Sequence, residues 1–181
     1  MIIRAATAED ADALAAIYGH HVLHGFGTFE EEPPSPAEME TRRAAIAGRG
    51  LPYLVAEEAG AVLGFAYAGP FRPRQAYRYT VEDSVYIAPD AVGRGVGRAV
   101  LSAVIDACAA QGVRQVVAVI GDSGNAASIG LHRTLGFTDA GVGRSFGFKH
   151  GRWVDIVWMQ KSLNGGDETP PDAVGISLSG S

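Results

Sequence analysis

The sequence predicts an α/β domain built as one mixed layer structure, and three features carry that reading. Helical periodicities alternate with short β-branched runs in the order β-α-α-β-β-β-α-β-α-β-β. Gly and Pro punctuate the junctions. One run, Gln115 to Ile120, is continuously apolar, the pattern of a strand buried on both sides.

Each element has a local reason. Ile2-Ile-Arg-Ala5 is short and β-branched, a first strand. Thr7-Ala-Glu-Asp sets a capping hydroxyl three residues before a carboxylate, and Leu14, Ile17, Tyr18 and Val22 follow at helical spacing. Ser35-Pro36-Ala-Glu38 repeats the start signal with Pro at the first helical position, and this helix runs to about Ile46 and stops before Gly48. Tyr53–Glu57 and Val62–Ala68 flank Gly60 as a hairpin. After a Pro/Arg-rich loop from Gly69 to Arg78, Thr80–Ile87 reads as a strand. Gly95 to Gln111 is a long amphipathic helix with Val96, Val100, Val104 and Ala107 on one face. Asn125 to Leu135 is helical and closes at Gly136, and strands around Gly143–Phe148 and Trp153–Gln160 complete the domain, residues 1–163. From 164 to 181 the composition turns to Gly, Ser, Pro and acids, which predicts a disordered tail.

Composition narrows the function. The 181 residues carry a formal charge of −5 and are 47% hydrophobic, which suits one domain with a full core. The acidic balance argues against nucleic acid as a partner. No stretch approaches the ~20 apolar residues of a membrane helix, and Glu9, Asp10 and Asp12 stand where a signal peptide would be apolar. A single cysteine, Cys108, excludes an internal disulfide and a thiolate metal cage and fits a reducing cytoplasm. Within an alanine-rich helix it reads as a small buried hydrophobe. His20 and His24 lie one helical turn apart with no evident third ligand, so no metal is expected. With His21 they are expected to meet the last carbonyls of the first helix or to line the substrate entrance.

The most informative segment is Val85-Tyr-Ile-Ala-Pro-Asp-Ala-Val-Gly93-Arg94-Gly95-Val96-Gly97-Arg98. A strand ends, Pro89 breaks it, and alternating glycines lead into a helix. Such glycines let successive N–H groups turn toward one point, and the helix start adds unpaired donors with a positive dipole end. That arrangement binds a pyrophosphate. The spacing lacks the third glycine of a dinucleotide fingerprint and the Gly-Lys-Ser/Thr of a nucleotide-triphosphate loop, which argues against NAD and ATP.

Together with Asn125-Ala-Ala-Ser128-Ile-Gly-Leu-His132-Arg-Thr-Leu-Gly-Phe137, this segment resembles the acetyl-CoA signature of the GNAT superfamily of N-acetyltransferases. Ala66-Tyr-Ala-Gly-Pro70, Tyr79-Thr-Val-Glu82-Asp83-Ser84-Val-Tyr-Ile87, Val117-Ala-Val-Ile-Gly121 and Gly147-Phe-Lys-His-Gly-Arg-Trp153 resemble its phosphinothricin and methionine sulfoximine or sulfone branch. The likeness spans about residues 2 to 161. It implies a mostly antiparallel sheet flanked by about four helices, acetyl-CoA as cosubstrate, a small amino-acid-like amine as acceptor, and a homodimer. The superfamily usually places Gln or Arg where this chain has Val92.

The resemblance also assigns roles. Glu82 corresponds to the general base that takes the proton of the amine. Val85, Tyr86 and Ile87 supply backbone to the pantetheine arm, and the Ile87 amide faces the thioester oxygen. Gly93, Arg94, Gly95, Val96, Gly97 and Arg98 hold the diphosphate, with Arg94 and Arg98 adding charge. Asn125 and Ser128 hold pantetheine, and His132 stands where many members place the acid that protonates the leaving thiolate. Arg72, Pro73, Arg74, Glu82, Asp83 and Ser84 match acceptor contacts, and an arginine fork suits an α-carboxylate. The loop Gly25-Phe-Gly-Thr-Phe29 lies over the acceptor in the branch, and Lys149-His150 borders the site. The other readings are an acetyltransferase for a protein N-terminus or a polyamine, and a non-catalytic acetyl-CoA-binding module.

Overall fold

Strand β1 (Ile2–Ala5) carries Arg4, whose guanidinium pairs with Asp10 at 2.8 Å through both terminal nitrogens and with Glu57 at 2.6 Å. Asp10 also accepts from the Thr7 N–H at 2.8 Å, which completes the carboxylate half of the expected cap. The first turn, Ala8–Asp10, is a 3-10 helix, and α1 (Ala11–His24) follows. Helix α2 (Pro36–Ala47) starts at Ser35, whose hydroxyl accepts from Glu38 N–H, and ends before Gly48. Ala59 and Gly60, with φ of 51° and 82°, make a two-residue hairpin turn between β2 (Tyr53–Glu58) and β3 (Ala61–Pro70). Then come β4 (Thr80–Ile87), α3 (Val96–Ala110), β5 (Gln115–Gly121), α4 (Ala126–Thr134), β6 (Thr138–Lys149) and β7 (Arg152–Ser162). The computed structural model describes residues 1–178.

The strands form one seven-stranded sheet in the order β1-β2-β3-β4-β5-β7-β6. Every pairing is antiparallel except β4 with β5, so the mixed, mostly antiparallel sheet with four α-helices is as expected. The last two strands run longer than the apolar pattern indicated, because β6 is exposed along most of its length and its polar and glycine residues hide its period. Alternation along β4 separates the helices. Tyr86 meets Tyr18 of α1, whereas Ile87 meets Gly97 of α3. Helix α1 therefore covers one face and α3 the other, with Phe65, Leu14, Leu101, Val104 and Met159 fully buried between layers.

The segment expected to be a disordered tail departs from that reading over 164–178. Arg114, 6% exposed, donates to Gly166 O at 2.8 Å and to Thr169 O at 2.7 Å. The Tyr79 hydroxyl donates to Ala173 O at 2.9 Å, Ile176 N–H donates to Arg78 O at 2.8 Å, and the Ile176 side chain is buried. A polar composition hid these anchors because they are backbone carbonyls, which every residue carries. The remainder of the expected tail, 179–181, lies outside the described residues.

The hydrogen bonds from Arg4 hold the Asp10 carboxyl below its ordinary range, against the opposing effect of burial. A depressed carboxyl stabilises the fold above its unfolded pKa and loses that contribution as pH falls through the folded value. Asp10→Asn is expected to cost about 2 kcal/mol at neutral pH and to flatten the acid limb of a denaturation series, as urea melts from pH 7 down to 3 will measure.

Candidate active site

The parallel ladder between β4 and β5 stops early. Pairing runs from Thr80↔Gln115 to Asp83↔Ala118, yet β4 continues to Ile87 and β5 to Gly121. Both continue along their outer neighbours: Ile87 stays opposite Gly64 of β3, and Gly121 opposite Ile156 of β7. The sheet therefore opens into a wedge with its vertex at Asp83 and Ala118. Ala88 N–H donates to Leu63 O on β3, so by antiparallel alternation the peptide groups of Val85 and Ile87 point into the wedge.

A cavity of about 550 Å³ occupies it. One wall is Asp83 to Ile87, the other Ala118 to Asp122. Gly93, Gly95, Val96, Gly97 and Arg98 close one end, and Asn125, Ser128, Leu131 and His132 line the α4 side. Gly93 and Gly95 have φ of 82° and 80°, left-handed values that strain any residue with a Cβ, and Gly95 is the residue that starts α3. Unpaired strand amides at the vertex and a glycine turn on a helix N-terminus suit a long arm ending in a diphosphate.

Most predicted cofactor residues line this cavity; Arg94 does not. Its guanidinium pairs with Glu58. Val92 borders the cavity through a largely exposed side chain, and Arg98 is the arginine of this loop that lines it. The Asn125 side chain caps α4, with Oδ1 accepting from Ser128 N–H at 3.1 Å, and Nδ2 lies 3.4 Å from Gly121 O. It orders the α4 start as much as it faces the cavity.

His132 and Asp83 form a buried pair, Nε2 to Oδ2 at 3.0 Å. His132 Nδ1 lies 2.7 Å from Ser128 O, an oxygen that only accepts, so Nδ1 carries a proton while Nε2 faces the Asp83 carboxyl. Burial works against a charged ring, but Asp83 and the Ser128 carbonyl outweigh it and raise the His132 pKa. With a protein partner at each nitrogen, His132 joins α4 to the wedge vertex. Asp83 is thereby turned away from the face expected to meet the acceptor. Its other oxygen, Oδ1, is buried at the cavity wall with no protein partner among the described residues.

Glu82 faces the opposite side of the sheet, together with Ser84 and Tyr86, and is half-buried opposite Gly69, which leaves room above it. Burial and then the charge of Asp83 raise its pKa, and Arg72 works the other way. Arg72 is exposed and lies over the Phe71 ring, and Pro73 and Arg74 are exposed beside it. Phe29 packs its ring on Gly147. Of the predicted acceptor residues, Asp83 and Ser84 line the cavity, whereas Phe29, Arg72, Pro73, Arg74 and Glu82 do not.

Sequence reasoning placed His21 only loosely. Its Nε2, 2.9 Å from Ile87 O, must carry the proton, and the ring lines the cavity. The last carbonyl of β4 is thus held from α1. Gln115 to Ile120 read as a buried strand, with nothing local to mark the free edge from Ala118 onward. Burial pushes the Cys108 thiol up to about 12, so it is no nucleophile near neutrality. No group of three or more metal-ligating side chains occurs among the described residues.

Residues 3–158 match the model of the acetyltransferase (GNAT) domain. The phosphinothricin N-acetyltransferase of Alcaligenes faecalis is 55% identical over 170 residues, 94% of this chain and 86% of that protein. An L-methionine sulfoximine/L-methionine sulfone acetyltransferase of Pseudomonas paraeruginosa is 44% identical, covering 90% of this chain and 94% of its own. A crystal structure of a GNAT phosphinothricin acetyltransferase from Sinorhizobium meliloti, in complex with AcCoA, matches with a TM-score of 0.90 at 49% identity, covering 94% of this chain and 92% of that one. The chain belongs to the GNAT acetyltransferase family. It is an acetyl-CoA-dependent N-acetyltransferase.

Gly95→Val forces a β-branched residue into the left-handed region at the α3 start. Calorimetric titration with coenzyme A is expected to show affinity falling by at least about tenfold, with the thermal midpoint shifted by only a few degrees.

Proposed function

We propose that the protein transfers the acetyl group of acetyl-CoA to the α-amine of a small amino acid or analogue of the phosphinothricin, methionine sulfoximine or methionine sulfone type, with Glu82 as general base. The observation that carries this reading is the position of Glu82. It lies one residue before the wedge vertex on the α1 face, with a raised pKa and the Arg72 charge within its field.

The cosubstrate supplies a thioester carbonyl open to attack by an amine, and the chain supplies the rest. The amide of Val85 or Ile87 faces the wedge, where it stabilises negative charge on an acyl oxygen. The His21 proton holds the Ile87 carbonyl, the end of the strand segment that carries this donor. Glu82, ionised, takes the amine proton directly or through one water. A carboxylate whose pKa is raised is a stronger base than an ordinary one. Arg72 acts on Glu82 through its charge, and its planar fork, with that of the neighbouring exposed Arg74, suits an α-carboxylate and a phosphinate or sulfone oxygen. A polyamine gives them nothing to bind.

Direct attack, without an acyl-enzyme, agrees with the buried, poorly acidic Cys108. The leaving thiolate departs without His132 as its acid, since a thiol of pKa ~8.5 leaves tolerably alone. A homodimer and a cytoplasmic setting belong to the same reading. Exposed Phe148 and Trp153, in edge contact on the β6–β7 hairpin, support self-association, and a lone buried thiol suits a reducing compartment.

Thiol release from acetyl-CoA with a panel of amines tests the proposal. Turnover is expected with methionine sulfoximine or phosphinothricin, and little with spermidine or an alanine-terminated peptide. Glu82→Gln is expected to lower kcat by about 10²–10⁴-fold while coenzyme A still binds. In the wild type, kcat/KM should fall as pH drops below the raised Glu82 pKa, and the Gln variant should lose that limb. Undiminished turnover in Glu82→Gln would remove the base from the account.

A further inference from the structure

Lys149, at the end of β6, is only 2% exposed, unusual for a residue that normally keeps its ammonium in water. Its Nζ donates to the main-chain oxygen of Thr28 at 2.8 Å. Burial lowers its pKa, against the pull of Glu31 and Glu30. No step of the acetyl transfer uses it, so its burial needs another cause.

That cause lies in what Thr28 belongs to. The loop 25–29 leaves α1 and crosses the wedge on the side that Glu82 and Tyr86 face, and Gly25, Phe26 and Gly27 line the cavity. The loop is pinned on every side. The Thr28 hydroxyl lies 2.9 Å from the Tyr18 hydroxyl and accepts from Glu30 N–H at 3.2 Å. Glu30 accepts in turn from Tyr18 at 2.8 Å and from Arg42 of α2 at 2.7 Å. Phe26 carries the Arg152 guanidinium 3.9 Å from its ring centre. Its carbonyl comes so close to Gly121 that a Cβ there would stand 1.8 Å from the oxygen. Phe29 lies as closely on Gly147, where a Cβ would meet its ring at 2.4 Å. Lys149 is the tie from the β6 side, and it reaches the backbone directly.

We propose that Lys149 is a positioning residue that clamps the 25–29 loop as a roof over the wedge, holding the acceptor against the thioester and keeping water out. The inference rests on the acetyl-transfer reading above. Without the roof, water competes with the amine: its oxygen bonds to the acyl carbon, the carbon–sulfur bond breaks, and the products are acetate and free coenzyme A, with a proton passed to the thiolate. The roof sets the ratio of transfer to hydrolysis. It leaves the diphosphate grip at the α3 start alone, because that grip is built from other residues.

The experiment compares full-length wild type, Lys149→Met, Lys149→Arg and Gly147→Ala. Met fills the lysine volume without donating, and the added methyl at position 147, outside the cavity wall, pushes on the Phe29 ring of the same loop with Lys149 intact. Lys149→Met and Gly147→Ala are each expected to raise the acceptor KM by about tenfold or more and to release thiol from acetyl-CoA without acceptor. Coenzyme A affinity is expected to stay within about threefold of wild type, and Lys149→Arg to recover part of the coupling. Amide exchange at Gly27 to Glu30 should quicken in Lys149→Met. Wild-type acceptor KM with no acceptor-independent thiol release in both variants would overturn the proposal. So would a loss of coenzyme A affinity equal to the loss in acceptor binding, which marks general disruption. If Lys149→Met does not fold, Gly147→Ala alone decides between these outcomes. A wild type that acetylates no amino acid would instead defeat the functional reading.

Discussion

Two parallel strands that part company halfway are the constraint on which the site depends. A strand peptide left without its neighbour in a protein interior needs another partner, since an unmet buried N–H or C=O costs as much as a lost hydrogen bond. Here Val85 and Ile87 turn their peptide groups into a wedge instead of onto β5. The sheet does not close the gap because each strand is committed on its other side, β4 to β3 and β5 to β7, past the point where they separate. The opening is thus a property of sheet topology, and the loops decorate it.

Charged and polar groups keep that opening in shape. The Asp83–His132 pair sits at the vertex, both ring nitrogens bonded, and ties α4 to β4 from the α3 face. His21 holds Ile87 from the α1 face. A buried ion pair is weak support for overall stability, because desolvating both partners offsets their attraction. Its effect here is geometric: it fixes where the strands separate. Position also divides labour between adjacent carboxylates. Asp83 points to α4 and is spent on His132, while Glu82, one residue earlier, points to the acceptor side.

Much of this was legible in the residues. The glycine pattern from Gly93 to Gly97 announced its backbone angles, since two of its members adopt values other residues avoid. The helix caps at Asp10 and Ser35 and the tight turn at Gly60 were local signals with local outcomes. What stayed hidden was non-local. Nothing in Val117–Gly121 marks an unpaired edge, and Arg94 pairs with Glu58, which the next elements along the chain bring near. The order of residues 164–178 was invisible because Arg114 and Tyr79 seize carbonyls, which carry no side-chain signature. His132 occupies a position where an acid fits by analogy, and only the fold shows that each of its nitrogens already has a protein partner.

The account stands or falls on those freed strand amides. Backbone amide exchange, followed by NMR at Val85 and Ile87 with and without acetyl-CoA, tests it most directly. Both amides are expected to exchange readily in the free protein and to become strongly protected when the thioester binds. Protection already complete in the free protein, or unchanged on binding, would contradict it.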